Sequence, residues 1–196
     1  MAKSVKGTQT EKNLMVAFAG EAQSRIRYNY FANSARSSST KEGYEQIGNI
    51  FNDTADNEKV HARVFQRYLE GGDVEITTTY PAIGLKDTKS NLEAAIESEK
   101  MEWSINYVNF ARIAREEGFP DIAYSFEQVA IAEKFHESRF RKLLNNLIAG
   151  EVYKKKTAVT WHCSNCGYIY QGTEAPKECP SCKHPQYYYE LLAENY

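Results

Sequence analysis

Along four long stretches of the chain, apolar residues recur every three or four positions, the spacing that places them on one face of a helix. Ile122, Phe126, Val129, Phe140, Leu143 and Leu147 form one such stripe, and Ile47, Phe51, Thr54, Phe65 and Tyr68 form another. Leu14, Phe18, Tyr28 and Ala32 mark a third, while Leu92 and Ala95 open a fourth that continues through Asn106, Asn109 and Ile113. Punctuation supports the same division. Thr8-x-x-Glu11, Ser39-x-x-Glu42 and Ser90-x-x-Glu93 fit the capping box, in which two side chains satisfy first-turn amides. Gly71-Gly72, Gly118 and Gly150 stop helices, and Pro120 is placed to open one. The pattern predicts helices at about 10–36, 40–70, 90–117 and 120–149.

The first and third connections are a few residues long, which forces antiparallel neighbours. The second, Gly71 to Lys89, contains Thr77-Thr78-Thr79, Pro81 and Gly84. A helix of about 28 residues is ~42 Å long. An extended chain covers ~3.3 Å per residue, so this connection has the reach to make helices two and three parallel, although nothing requires it. After Gly150 the pattern changes. A short basic stretch, Val152 to Lys156, leads into a tail rich in Cys, Pro, Gly and Tyr. We expect a bundle over residues 1–150, a linker over 151–160 and a separate unit over 161–196. A unit of about 40 residues is too small to hold a core unaided and needs a metal staple.

Each apolar stripe is interrupted near its middle by an acidic residue. Glu21 and Arg25 interrupt the first, Glu58 and His61 the second, Glu99 and Glu102 the third, Glu133 and His136 the fourth. One such glutamate is ordinarily a solvated residue on a slightly rotated helix. Five converging on one core would repel each other and oppose folding, because a buried unpaired carboxylate costs several kcal/mol. Two multivalent cations remove that conflict. Glu from two helices and Glu-x-x-His from the other two is the ligand set of ferritin-like di-iron and di-manganese proteins. The i, i+3 spacing lets carboxylate and imidazole reach the same metal pair, bridged by Glu58 and Glu133. Mixed oxygen and nitrogen ligands suit iron or manganese better than zinc or copper. Glu102 exceeds the minimal set, which points to a ligand exchanged between oxidation states. Tyr28 and Tyr107 are candidates to fix carboxylates by hydrogen bonding, and Arg25 either offsets local charge or snorkels outward.

Composition narrows the function classes. The chain has 196 residues, 42% hydrophobic and 26% charged, with a formal net charge of −2, so it carries no electrostatic footprint for nucleic acid or an anionic membrane. No apolar run approaches the ~20 residues that span a bilayer, and the polar N-terminus has no signal-peptide core. These features predict a cytoplasmic protein. All four cysteines fall within twenty positions near the C-terminus, as Cys163-x-x-Cys166 and Cys179-x-x-Cys182 separated by twelve residues. In a reducing compartment that clustering means metal rather than disulfides. Zinc and iron both accept four thiolates in a tetrahedron, and spacing leaves the choice open. His162 and His184 lie nearby, but four cysteines already complete the site.

Glu21 and Tyr28, Glu58-x-x-His61, Glu99-x-x-Glu102, Glu133-x-x-His136, Cys163-x-x-Cys166-Gly167-Tyr168 and Cys179-Pro180-x-Cys182 together resemble rubrerythrin across essentially the whole chain. The tail looks like a rubredoxin with a shortened spacing between its cysteine pairs. The resemblance implies a mainly α protein: a ferritin-like four-helix bundle with a small, β-rich, rubredoxin-like C-terminal domain. It implies two irons held by Glu21, Glu58, His61, Glu99, Glu102, Glu133 and His136, and one iron held by Cys163, Cys166, Cys179 and Cys182. It also implies a peroxidase that reduces hydrogen peroxide to water, with one iron moving between Glu102 and His61 as the oxidation state changes. Tyr28 and Tyr107 are expected to serve that site. The partners it implies are a second copy in a homodimer and an electron donor, either an NAD(P)H-dependent reductase or a rubredoxin. Two other readings share parts of this sequence: a ferroxidase that stores iron in a multisubunit shell, and a simple electron carrier.

Overall fold

The computed structural model describes residues 3–36 and 42–194. Helix α1 spans Gln9–Arg36 and α2 spans Glu45–Gln66. The third long helix is composite: α3 (Thr88–Met101) passes through a π turn (Glu102–Asn106) into α4 (Tyr107–Glu116). Helix α5 is Pro120–Ile148, with the proline in its first turn as expected.

The core consists of two apolar layers, and their membership reveals the topology. One layer holds Leu14 and Ala17 of α1, Phe65 of α2, Ala111 and Ala114 of α4, and Phe126 of α5. The other holds Phe31 of α1, Phe51 of α2, Leu92 of α3 and Phe140 of α5. Thus the start of α1 meets the end of α2, and the two are antiparallel; α3–α4 and α5 form a second antiparallel pair. Helices α2 and α3 begin in the same layer, so they are parallel. The connection between them runs the length of the bundle as a strap, the geometry its length permitted.

Several helix ends differ from the sequence expectation, and distant carboxylates explain most of the differences. Thr8 caps α1, accepting from the Glu11 amide at 3.1 Å, but the Glu11 carboxylate reaches the Gly7 amide at 2.7 Å. Glu117, in the turn before α5, also accepts from the Gln9 and Thr10 amides at 3.0 and 2.7 Å. Asp87, not Ser90, caps α3, accepting from the Ser90 amide at 2.7 Å. Ser39 lies outside the described residues, and Glu42 binds the Thr88 amide at 3.0 Å and its hydroxyl rather than closing a box of its own. Helix α2 stops at Gln66 instead of about 70, because tighter i+3 bonds from the Tyr68 and Leu69 amides end it. Gly118, at φ +78°, ends α4 in a Schellman turn, with the Phe119 amide bonded to Ala114 O at 2.7 Å.

The π turn corrects one predicted stripe. Its closing bond runs from the Tyr107 amide to Glu102 O, five residues back, which adds one residue to the turn. One residue is about 100° of helix rotation. Beyond it the buried face is Tyr107, Ala111 and Ala114, whereas Asn109, expected inside, is exposed.

The C-terminal unit is a three-stranded antiparallel sheet in the order β2-β1-β3, formed by β1 (Lys154–Cys163), β2 (Ile169–Glu174) and β3 (Tyr189–Leu191). Residues 154–160, expected as linker, are therefore strand. Trp161, Ala175 and Tyr189 pack around Cys163 and Cys179 as its small core. A tyrosine seam seats this unit against the start of α2: the Tyr153 hydroxyl donates to Gly43 O at 2.7 Å, and its ring stacks on Tyr44. Gly43 has φ +59°, and a Cβ there would stand 2.8 Å from the Tyr187 ring. Among the described residues, no helix is long and apolar enough to cross a membrane.

Candidate metal centre

Between the two apolar layers lies a polar one, to which every long helix contributes. Glu21 of α1, Glu58 and His61 of α2, Glu99 of α3, and Glu133 and His136 of α5 are all buried. Their ligand atoms form two groups, each within 4.8 Å: Glu21, Glu58, His61 and Glu133, and then Glu58, Glu99, Glu133 and His136. Glu58 and Glu133 belong to both groups. The two halves are near-copies. His61 Nδ1 lies 2.9 Å from Glu58 Oε2, 2.8 Å from Glu133 Oε1 and 3.9 Å from Glu21 Oε2. His136 Nδ1 lies 3.2 Å from Glu58 Oε1, 2.8 Å from Glu133 Oε2 and 3.6 Å from Glu99 Oε2.

Proximity here does not amount to satisfaction. Glu21 Oε2, Glu58 Oε1, Glu99 Oε2, both Glu133 oxygens and His136 Nδ1 are buried without a hydrogen-bond partner. Buried polar atoms are ordinarily paired. Six orphans on four helices aimed at one space are the donor set of a metal pair, and the residues fit two cations bridged by Glu58 and Glu133. Burial and mutual crowding also favour protons on this cluster. Burial, reinforced by Glu133 and Glu58, pushes the Glu21 carboxyl well above its ordinary range; burial with Glu58 and Glu133 does the same to Glu99. Burial would lower both imidazoles, but the Glu133 and Glu58 carboxylates raise His61 to about 10 and His136 to about 12. Burial would likewise raise Glu133, yet the two imidazoles beside it bring it down to about 2.

Hydrogen bonds from outside hold the ligand side chains in position. The Tyr28 hydroxyl donates to Glu99 Oε1 and the Tyr107 hydroxyl to Glu21 Oε1, where the sequence expected such donors. Tyr107 reaches Glu21 only because the π turn rotates it inward. Asn57 is an addition that the stripes did not reveal: its Oδ1 lies 3.2 Å from His136 Nε2. Accepting the Nε2 proton would leave Nδ1 free to bind metal. Arg25 turns outward, pairing with Asp56 at 2.7 Å and Ala55 O at 3.0 Å. Glu102 belongs to neither ligand group. It is half-buried at the start of the π turn, on the wall of a cavity of about 760 Å³. Burial and then Glu99 hold its carboxyl well above the usual range.

In the small domain, Cys163 Sγ is 3.8 Å from Cys182 Sγ, and Cys166 Sγ is 3.7 Å from Cys179 Sγ. A disulfide would require about 2 Å. A tetrahedron with metal–sulfur arms of about 2.3 Å has edges of about 3.8 Å, which matches. The two knuckles are equivalent in backbone as well as sequence: the Gly167 amide bonds to Cys163 O at 2.8 Å and the Lys183 amide to Cys179 O at 3.0 Å. Both residues are left-handed, at φ +78° and +63°, although one of them is a lysine. The His184 amide helps lower the Cys182 thiol to about 6, favouring thiolate. The imidazoles of His162 and His184 lie outside the four-cysteine group.

A crossover four-helix bundle with a carboxylate-bridged Glu/His centre, joined to a four-cysteine knuckle domain, defines the class: ferritin-like di-iron proteins carrying a rubredoxin-like module. The rubrerythrin family model matches residues 12–144, and the model for the rubredoxin-like domain of rubrerythrin matches residues 161–190. The chain belongs to the rubrerythrin family, a family of oxidoreductases. It is 48% identical to rubrerythrin from Nitratidesulfovibrio vulgaris over 99% of this chain and all of that one. Identity to rubrerythrin from Clostridium perfringens is 50%, over 99% of this chain and again all of the relative. Among solved structures, nigerythrin in a partially reduced state superposes with a TM-score of 0.62 at 28% identity, covering 98% of this chain and 91% of that one. The Glu/His cluster is thus a ferritin-like di-iron site and the four cysteines a rubredoxin-like site, a module that implies electron transfer.

Proposed function

We propose that the protein is a peroxidase that reduces hydrogen peroxide to two waters, drawing electrons through its cysteine-bound iron from an NAD(P)H-dependent reductase or a rubredoxin in the cytoplasm. The observation that carries this reading is the pairing, on one chain, of a two-metal centre with a separate one-electron site. An iron store has no use for the second; a catalyst that must be re-reduced after each turnover does.

Glu58 and Glu133 would bridge the two irons, with Glu21 and His61 completing one position and Glu99 and His136 the other. Bound in the ferrous state, the pair supplies one electron per iron, the two that cleavage of the O–O bond consumes. The remaining requirement is two protons. Glu102 faces the cavity, and burial with Glu99 beside it favours the protonated carboxyl, so its Oε atoms are suited to protonate the departing oxygen. The same side chain stands one helical turn from Glu99, and it and His61 would be the alternative ligands of one iron in its two oxidation states. Tyr28 and Tyr107 would keep Glu99 and Glu21 oriented in both.

A homodimer belongs to the same reading. The tyrosine seam holds the four-cysteine unit beside Tyr44, and Glu58 lies fourteen residues further along α2, or about 21 Å of helix. Electron tunnelling weakens steeply with distance, and in the proposed dimer the module of a second copy would deliver the electrons. Stopped-flow mixing of the fully reduced protein provides the test. Peroxide should oxidise the di-iron site at least ~100-fold faster than dioxygen does, and equal rates would sink the peroxidase reading. A solution mass corresponding to a dimer, rather than a shell, separates this function from iron storage.

A further inference from the structure

The cavity beside Glu102 is far larger than hydrogen peroxide needs. A water claims about 30 Å³ of liquid, so a molecule with two oxygens needs roughly 60 Å³. The cavity measures about 760 Å³, within the range that holds small organic ligands. It lies between α1, the composite α3–α4 helix and the strap. Its walls are largely apolar, with Val16, Ala17, Ile83, Ala94, Met101 and Phe110 contributing. The strap is pinned over it by Tyr80, whose hydroxyl donates to Val16 O at 2.7 Å. Two lining residues adjoin the metal centre: Glu102, one helical turn from Glu99, and Tyr107, which donates to Glu21. These two side chains are the wall that the apolar chamber shares with the site.

We propose that this cavity holds the organic group of a neutral alkyl or arylalkyl hydroperoxide, so that the protein reduces organic hydroperoxides as well as hydrogen peroxide. The inference rests on the peroxidase reading. The hydroperoxide head points toward Glu102, and the hydrocarbon packs against the apolar wall. Glu97 stands against the single Arg27, so the lining has no surplus positive charge to receive an anionic tail such as that of a fatty-acid hydroperoxide. The balance is ROOH + 2 e⁻ + 2 H⁺ → ROH + H2O. The O–O bond breaks, two ferrous ions each lose one electron, and the two oxygens take up one proton each in forming alcohol and water.

The test uses the full-length, iron-loaded protein and the variants Ala94→Phe and Val16→Trp, both of which fill the chamber from partly exposed wall positions. Turnover of cumene hydroperoxide is compared with that of hydrogen peroxide. Binding of the product alcohol, 2-phenyl-2-propanol, to the oxidised protein is followed by calorimetry, which requires no turnover. Both peroxides should be reduced and the alcohol should bind. In each folded variant, the ratio of kcat/KM for cumene hydroperoxide over hydrogen peroxide should fall at least ~10-fold, as filling a hydrophobic pocket does. Alcohol affinity should fall with it. Reduction of hydrogen peroxide without cumene hydroperoxide overturns this inference alone, as does alcohol binding that neither variant weakens. Failure to reduce either peroxide overturns the peroxidase reading and this inference together.

Discussion

Asn57 supplies no ligand atom, yet its amide oxygen 3.2 Å from His136 Nε2 decides which imidazole nitrogen faces the metals. Replacing it with leucine should weaken di-iron binding by about 10–100-fold, as loss of an outer partner does. Competition with a chelator would measure this, and the chromophore of the cysteine-bound iron, on another domain, should be unaffected. The ligands themselves also set a pH dependence for the metal-free bundle. Glu21, Glu99 and Glu102 hold protons in the folded state above the pH, near 4.5, at which the unfolded chain releases them. His61 does the same between 6.5 and about 10. Over those ranges the unfolded chain binds fewer protons, so stability falls as pH rises. Glu133, at about 2, has the opposite sign, but its contribution is complete above 4.5. The chelated protein should therefore melt at a lower temperature at pH 9 than at pH 6; a higher melting temperature at pH 9 would contradict a protonated cluster. The six side chains that converge were legible because each breaks an apolar stripe; Glu102, expected among the ligands, stands outside both groups on the cavity wall. Asn57 was not legible, because it lies beside Glu58 off the buried face, where an amide carries no periodic signal.

Among the elements, the π turn has the largest local effect. Deleting Ile105, which is 56% exposed, removes the extra residue without removing a core side chain. The helix should regularise, with Tyr107, Ala111 and Ala114 each moving back one position onto the stripe begun by Leu92, Ala95 and Glu99. Tyr107 then keeps its place beside Glu21, and the cost should stay well below the ~3–5 kcal/mol of truncating a buried aromatic. Chemical denaturation of the deletion variant would show a midpoint close to the parent's, and a loss of that full size would rule out this role for the turn. Helix number and order were readable from periodicity and punctuation, and length for all but α2, which is Glu45–Gln66 against an expected 40–70. The turn was missed because regular spacing carries the stripe on through Asn106, Asn109 and Ile113; the polarity of the two asparagines, against the apolar Tyr107, Ala111 and Ala114 one step out of phase, was the available signal. Caps supplied by Glu117 and Glu42 were hidden. Their partners lie on other helices, and local sequence rules see only neighbours.

On the scale of the whole molecule, two antiparallel helix pairs face each other across the metal centre. The pair α1–α2 carries Glu21, Glu58 and His61; the pair α3–α4 with α5 carries Glu99, Glu102, Glu133 and His136. The length of the strap allowed this arrangement without demanding it, since an extended chain of that span also closes a shorter path. The seat of the small domain was illegible for a different reason: it depends on the left-handed Gly43 meeting Tyr153 and Tyr187, contacts between segments more than a hundred residues apart. The division of ligands between the two pairs also makes each metal a clasp between halves that share only one covalent tie. A protease site placed at Gly71-Gly72, where added side chains would meet open space, would cut that tie. The two fragments should then remain one particle while metal is bound and separate when a chelator removes it, so that the protein becomes a metal-dependent heterodimer of its own halves.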